Sequence, residues 1–134
     1  MAIIDKAVGR GAATASFEYD FSVHGGAVGA ITLTALAGML PDNACIVGAY
    51  LEPLTDLTSS GSATVKIGVT GNDDALIAAT AYNHASFDGP DKIVALTAEV
   101  PLKLTADCNV LATVATAALT AGKFRVHVDY IAGL

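Results

Sequence analysis

The 134-residue sequence predicts an all-β fold: an antiparallel β-sandwich with jelly-roll-like topology and about eight strands. Segments in which apolar and polar side chains alternate recur along the chain. This period of two places one face of a strand in a core and the other in water. Turn-forming residues separate these segments at short and fairly even spacing, as in sandwiches and small barrels. An immunoglobulin-like sandwich is the second choice, because Trp is absent and the two cysteines lack the usual context.

The clearest strand is the C-terminal segment 123–130. Its apolar residues alternate strictly with polar ones, so we expect one set in the core and the other exposed. The inward set is Phe124, Val126, Val128 and Tyr130, and the outward set is Lys123, Arg125, His127 and Asp129.

Other strands are predicted at 16–23, 28–36, 44–54, 62–70, 93–97, 100–105 and 109–116. The expected inward residues are Phe17, Tyr19, Phe21 and Val23 in the first of these, and Ala63, Val65, Ile67 and Val69 in the fourth. Residues 75–81 fit either a short helix or a buried strand, because Ala suits both. Pro53 cannot donate to a strand ladder, which predicts a sheet edge, a bulge or a strand end there.

Loops are predicted where Gly, Pro, Asn, Asp and Ser cluster, at 24–26, 40–43, 56–61, 71–74, 82–92 and 106–107. The tight loop 119–122, with a positive φ expected at Gly122, is predicted to join the last two strands as a hairpin. Gly9 and Gly11 interrupt any regular element near the N-terminus. We therefore predict an N-terminal arm at 1–13, which orders on a neighbouring molecule, and a β-sandwich domain at 14–134.

Composition indicates a protein that forms interfaces. Hydrophobic residues make up 53% of the chain and charged residues 15%, so part of the apolar surface is expected in a subunit or partner interface. The net charge of −6, without a Lys/Arg cluster, argues against nucleic-acid binding. The apolar runs are too short for a membrane span and the N-terminus lacks a signal-peptide pattern, which predicts a cytoplasmic chain with no membrane partner. Cys45 and Cys108 are expected to be buried thiols rather than a disulfide.

No residue pattern predicts a metal site. Asp73 and Asp74 could help to hold Ca²⁺, but a solvated turn explains them better. The same holds for Asp88 and Asp91, which flank a Gly-Pro pair. The three histidines, His24, His84 and His127, show no metal-ligand spacing and are expected at the surface.

Catalytic patterns are also missing from the sequence. The SSGS segment 59–62 has the composition of a loop, and no GxSxG motif occurs. Glu18, Glu52 and Glu99 could form a glycosidase-like pair only if the fold brought two of them together. Gly25 and Gly26 precede a strand rather than a helix, which excludes a phosphate-binding loop. We predict no enzyme, no catalytic residue, no cofactor and no metal.

Two long segments resemble small structural proteins encoded in the head modules of tailed bacteriophages. They are residues 26–81, which run from GAVGAITLTAL to NDDALIAATA, and residues 100–131, VPLKLTADCNVLATVATAALTAGKFRVHVDYI. The features that carry the resemblance are a strand ending at LPDNA, a Ser/Gly/Thr loop, a strand closing at GxxDA, an LTAD turn and a TxxLTAGKF hairpin. Residues 1–20 and 82–92 lie outside the resemblance.

The resemblance implies a head decoration, or cement, protein. Such proteins often have a jelly-roll-like sandwich, form dimers or trimers, and bind the exterior of the icosahedral shell. They bridge neighbouring major capsid proteins and resist the internal pressure of the DNA. The implied location is the outside of the virion, after assembly in the host cytoplasm.

Two other functions remain open at this point. A fibre or tail module that binds a receptor or glycan would use exposed aromatic side chains, and Tyr82 and Phe87 are the candidates. A tail or neck structural protein of the same assembly is the other.

Overall fold

The computed structural model describes residues 13–37, 40–88 and 92–131, which form ten β-strands. The strands are β1 (Ala13–Asp20), β2 (Gly29–Thr32), β3 (Thr34–Ala37), β4 (Cys45–Ser59), β5 (Thr64–Val69), β6 (Asn72–Ala81), β7 (Val94–Ala95), β8 (Leu102–Lys103), β9 (Val110–Ala115) and β10 (Leu119–Ile131). One helical turn, α1 (Phe21–His24), follows β1, and a 3₁₀ turn spans Ala85–Phe87. The predicted arm, apart from Ala13 in β1, lies outside the described residues.

The strands form two antiparallel sheets. The six-stranded sheet has the order β3-β1-β10-β4-β7, with β8 also paired to β4, and the four-stranded sheet has the order β2-β9-β5-β6. With β3 and β8 set aside and the other strands counted one to eight along the chain, the sheets read 1-8-3-6 and 2-7-4-5. This is the strand order of a jelly roll. The predicted antiparallel β-sandwich is therefore confirmed.

The core lies between the two sheets and is apolar throughout. No polar or charged residue within the described ranges is fully buried. Phe124, Val126 and Val128 of β10 are at most 1% exposed, as their alternation predicts, while Tyr130 is half-buried. The inward residues of the fourth predicted strand, Ala63, Val65, Ile67 and Val69, are likewise buried.

The first predicted strand ends earlier than its alternation indicated. Residues Phe21–His24 form α1, because the Asp20 side chain accepts a hydrogen bond from the Ser22 N–H at 2.9 Å and acts as a helix N-cap. Gly25, with φ of 71°, ends the turn. Phe21 is half-buried and packs against the core, whereas Val23 is 71% exposed, so the prediction that Val23 faces the core was wrong.

The segment predicted as a single strand at 28–36 is two strands in different sheets. β2 pairs with β9, whereas β3 pairs with β1. The chain changes sheets at Leu33, which is 4% exposed and whose N–H donates to the Val110 carbonyl at 3.0 Å. The segment that connects the two sheets passes through the core at Leu33, so an apolar side chain is suited to this position.

The predicted hairpin between the last two strands is wrong. β9 pairs with β2 and β5, whereas β10 pairs with β1 and β4, so the connection between them crosses from one sheet to the other. Gly122 has the expected positive φ, 138°, but lies inside β10. A Cβ there would lie 2.3 Å from Leu57 Cδ2, so Gly122 allows close packing of β4 against β10.

β4 is longer than predicted and includes part of the expected loop at 56–61. Phe124 pairs with Pro53 and Lys123 with Thr55, so Leu54 is an extra residue in β4. This register shift confirms a bulge, one of the three alternatives for Pro53. The ambiguous residues 75–81 are part of strand β6.

A buried tyrosine gives a testable pH dependence. The Tyr19 hydroxyl donates to the Gly25 carbonyl at 2.6 Å, and burial, followed by the charge of Asp20, raises the pKa of Tyr19 to about 12. Because the folded pKa lies above the ordinary 10.0, this contribution to stability is complete below pH 10 and is lost as the pH rises towards 12. We expect the unfolding free energy to fall by about 2–3 kcal/mol across that window.

Urea unfolding at pH 9, 10, 11 and 12 measures this effect, with Tyr19→Phe as the control. The variant loses the hydrogen bond to Gly25 and is less stable at pH 9, but its stability should fall less steeply above pH 10. Equal slopes for the two proteins would contradict the assignment.

Candidate functional site

A row of paired polar side chains lies on the outer face of the six-stranded sheet. We call it the polar ladder, and it consists of Thr14, Ser16, Glu18 and Asp20 of β1, Lys123, Arg125, His127 and Asp129 of β10, and Glu52 of β4. Alternation aims these side chains outward while their sequence neighbours enter the core. The β1–β10 register sets Thr14, Ser16, Glu18 and Asp20 opposite Asp129, His127, Arg125 and Lys123. The outward set predicted for 123–130 is therefore confirmed.

Opposite charges meet across the strands of the ladder. Arg125 Nε donates to Glu18 Oε2 at 2.9 Å, and Lys123 Nζ lies 3.9 Å from Asp20 Oδ2. The side chains are between 17% and 39% exposed, so each pair contributes at most about 1 kcal/mol. The ladder therefore organises surface charge more than it stabilises the fold.

His127 joins three strands at the centre of the ladder. Its Nδ1 lies 2.8 Å from Ser16 Oγ on β1, and its Nε2 lies 2.9 Å from Glu52 Oε1 on β4. A neutral ring with its proton on Nε2 satisfies both contacts, since the hydroxyl then donates to Nδ1 and the ring donates to the carboxylate. Sequence reasoning placed His127 on the surface but missed its partners, which are 111 and 75 residues away.

Ser16, His127 and Glu52 place a hydroxyl, an imidazole and a carboxylate in one row, and these are the components of a nucleophilic triad. Ser16 lies within a regular strand of a sheet face. The cavities at the β5–β6 turn and beside Tyr82 are lined by other residues. The row can orient His127, but the structure gives no support for an oxyanion site beside it.

Asp20 closes one end of the ladder and is also the N-cap of α1. The Ser22 hydroxyl and backbone N–H both donate to its carboxylate, at 2.7 and 2.9 Å. These hydrogen bonds, and then the charges of Lys123 and His24, hold the pKa of Asp20 below its usual value. The carboxylate therefore remains charged under mildly acidic conditions.

The fold brings two of the three candidate glutamates to the same place. Glu18 and Glu52 lie on the strands on either side of Arg125, which pairs in register with both. Each carboxylate has a basic partner on β10: Arg125 Nε donates to Glu18 Oε2, and His127 Nε2 lies 2.9 Å from Glu52 Oε1. Glu99 lies elsewhere and accepts a hydrogen bond from Asn72.

The other candidate residues lie apart from the ladder. Asp73 pairs with Lys66 at 3.0 Å. His84 Nδ1 accepts from the Ser86 N–H at 3.1 Å, and His24 Nε2 lies 2.9 Å from Thr34 Oγ1. Asp88 is exposed, and Asp91 lies outside the described residues. Within the described ranges, no three His, Cys, Asp or Glu side chains cluster as metal ligands would.

A cavity of about 280 Å³ lies at one end of the sandwich, between the β5–β6 turn and residues 102–108. Cys108 borders it, with its Sγ directed at the Ala106 carbonyl at 3.2 Å. Burial, followed by the charges of Asp107 and Asp42, raises the pKa of the Cys108 thiol. The thiol is therefore protonated and a poor nucleophile. Both cysteines are free, Cys108 buried and Cys45 half-buried.

The aromatic residues of the loop 82–92 offer little to a glycan. Phe87 is 1% exposed and its ring centroid lies 6.0 Å from that of Phe124, so it belongs to the core. Tyr82 is half-buried against the same core. The second cavity, of about 320 Å³, touches Tyr82 and residues 61–64. The expectation that Phe87 is available for sugar stacking was wrong, because the 3₁₀ turn carries it inward.

The fold is shared with chains from phage capsids. A chain in the capsid asymmetric unit of cyanophage Pam1 superposes with a TM-score of 0.65 at 22% identity, over 89% of this chain and 83% of that one. A chain in the acidic stable capsid structure of Helicobacter pylori bacteriophage KHP30 gives 0.62 at 20% identity, over 90% and 87%. A chain in the capsid of Ralstonia phage GP4 gives 0.60 at 21% identity, over 92% and 85%.

These similarities define the class: a jelly-roll sandwich of a kind found in phage capsids, matched over nearly the whole chain. No protein-family model and no curated protein matches the sequence. Among the described residues, no helix is long and apolar enough to cross a membrane.

Proposed function

We propose that this chain is a virion structural protein that decorates an icosahedral phage capsid and stabilises it by bridging neighbouring major capsid proteins. The observation that carries the proposal is the fold: three phage capsid structures contain a chain that superposes on this one with TM-scores of 0.60–0.65. The resemblance of residues 26–81 and 100–131 to phage-head structural proteins supports the same class.

The surface of the molecule suits such a role. The core between the two sheets is apolar, and the described residues form no cluster of three metal-ligand side chains. A decoration protein needs no reaction. It needs only to bind the assembled shell and not its free subunits, because mass action then stabilises the shell. The partners would be the major capsid protein and further copies of the chain, as a dimer or trimer, without nucleic acid or membrane.

The location that follows is the exterior of the virion, reached after assembly in the host cytoplasm. The acidic net charge of −6 fits this position, since it repels packaged DNA and keeps decorated particles apart in solution.

Co-sedimentation with undecorated, expanded capsids tests the proposal. The capsids are assembled from the major capsid protein of the same genome, mixed with the pure chain and pelleted. Saturable binding in fixed proportion to the capsid protein, together with a higher melting temperature of the shell, is the expected result. Failure to bind shells, combined with binding to a glycan array or to cells, would identify the chain as a fibre or tail module instead.

The polar ladder is the proposed contact surface, and charge reversal tests it. Arg125→Glu leaves three carboxylates facing one another across β1, β10 and β4, and it changes the charge pattern of the ladder. We expect about tenfold weaker shell binding, since mispaired interface charges commonly cost more than 1.4 kcal/mol. Lys66→Glu, which breaks an exposed ion pair on the four-stranded sheet, is the matched control.

Thermal melts of both variants separate binding from folding. Equal loss of shell binding in Arg125→Glu and Lys66→Glu would show that net charge, and not the ladder, governs the contact. Unaltered binding with a lower melting temperature for Arg125→Glu would assign the ladder to the fold alone.

A further inference from the structure

One corner of the sandwich carries no formal charge over a long stretch of chain. Residues 21–41 contain no Asp, Glu, Lys or Arg, in a protein that has 20 such residues in all. This stretch supplies α1, β2 and β3, and its single titratable side chain is that of His24. The uncharged stretch therefore supplies an edge strand of each sheet.

β3 is an open edge at this corner. It pairs with β1 on one side, and no described strand pairs with its other side. All four of its residues, Thr34–Ala37, are exposed. Edge strands are guarded by Lys, Pro, inward-pointing charges, shortness or a bulge; β3 has no Lys, Pro or charge, but it is four residues long and has one bulge. Its only irregularity is the extra residue Leu36 between the pairs Ser16–Ala37 and Phe17–Ala35.

α1 lies beside this edge and adds apolar surface to it. His24 Nδ1 lies 3.1 Å from both the backbone nitrogen and the carbonyl oxygen of Asp20, and its Nε2 is hydrogen-bonded to Thr34 Oγ1 at 2.9 Å. This bond holds α1 against β3. Val23 of α1 is 71% exposed and Leu36 of β3 is 48% exposed, and both are among the most exposed large apolar side chains of the described chain.

We propose that the β3 edge is an interface between two copies of this chain, joined antiparallel about a twofold axis. Each copy has a net charge of −6, so two copies repel, and they repel least when uncharged surfaces face each other. In a twofold contact a residue near the axis meets its own copy, so a charge there faces a like charge. An uncharged edge with exposed backbone groups is the kind of surface that can meet its own copy without this penalty.

The neighbouring charges are consistent with this contact. The carboxylates next to β3 are those of Glu18, opposite Thr34, and Asp20, and both point to cations of β10. Pairing of β3 with β3 of a second copy would join the two six-stranded sheets into one, with backbone hydrogen bonds for affinity and Leu36 buried near the axis. The interface forms without a capsid, so it does not depend on the proposed decoration role.

Sedimentation equilibrium of the pure full-length protein, without shells, tests the interface. We expect a concentration-dependent dimer, and at least tenfold weaker dimerisation for Leu36→Lys. Val47→Lys is the matched control, because Val47 is 47% exposed but lies on β4. It should dimerise like the wild type.

A mixing experiment tests the twofold geometry. Leu36→Lys and Leu36→Glu should each be monomeric, and an equimolar mixture should restore the dimer, since opposite charges then meet near the axis. A wild-type protein that stays monomeric over the accessible concentrations would overturn the proposal. So would equal weakening by Val47→Lys, or a mixture that remains monomeric. If Leu36→Lys still dimerised but no longer bound shells, we would conclude that the β3 edge pairs with a strand of the capsid protein instead.

Discussion

Replacing Phe124 by alanine is expected to lower the free energy of unfolding by about 3–5 kcal/mol, which would bring a domain of ordinary stability close to unfolding. Phe124 is 1% exposed and lies in the centre of β10. Its ring centroid is 5.2 Å from that of Tyr19 and 6.0 Å from that of Phe87. Truncation leaves a cavity among rings that β1, β10 and the 3₁₀ turn hold in place, so little collapse can compensate.

Urea denaturation monitored by circular dichroism measures this change. Ile131→Ala is the control, because Ile131 also belongs to β10 but is 44% exposed, and we expect it to cost less than about 1 kcal/mol. A cost for Phe124→Ala no larger than that of the control would mean that the aromatic cluster does not carry the core.

Replacing Gly68 by alanine is expected to cost about 2–3 kcal/mol. Gly68 lies in β5, and a Cβ there would come 2.2 Å from the Asn72 carbonyl oxygen and 2.4 Å from the Asp73 carbonyl carbon. Both are backbone atoms at the start of β6, where the β5–β6 register is irregular. They cannot rotate away, so the turn between the strands would have to shift.

Gly48→Ala provides the matched comparison for this prediction. The nearest atom to a Cβ at Gly48 is the Tyr50 hydroxyl oxygen at 3.3 Å, at the end of a side chain that can move. We expect a change within about 1 kcal/mol, measured by the same urea titration. If the two alanine variants were equally stable, the close β5–β6 approach would not be a feature of the folded protein.

The two expected losses bear on the proposed role in a capsid. A decoration protein contributes to a shell only while folded, so variants that unfold at low denaturant concentration would also lose shell binding. Shell-binding measurements on Arg125→Glu therefore need the unfolding data beside them. Substitutions at Leu36 are less prone to unfold the protein, because the Leu36 side chain lies outside the core.

Local features of the fold follow from the residues that form them. The alternation in 123–130 predicts which β10 side chains are buried and which form the ladder. The Leu-Pro-Asp-Asn segment predicts the turn at 40–43, where the Ala44 N–H donates to the Pro41 carbonyl at 3.1 Å and Asn43 has φ of 66°. The α1 turn carries a local signal as well, Asp20 two residues before Ser22, which the strong alternation of 16–23 outweighed.

The partners of each strand could not be read in this way. His127 meets Ser16 and Glu52 because β10 lies between β1 and β4, and nothing near residue 127 specifies those neighbours. The connection between β9 and β10, which the sequence predicts as a hairpin, also lacks a local signal for its true course. A short Gly-containing connection fits both a hairpin and a crossing between sheets, and Thr116, with φ of 75°, turns the chain into the crossing.

The sequence by itself determined that this is an acidic, antiparallel β-sandwich whose last strand has one apolar and one charged face. These properties depend on the composition and on side-chain order along a few neighbouring residues. Only the tertiary structure decided that β9 and β10 belong to different sheets, that the chain changes sheets at Leu33, and that the uncharged β3 has no second neighbour among the described strands. Strand pairing joins residues more than a hundred positions apart, and it depends on how all the apolar faces are buried together rather than on any local pattern.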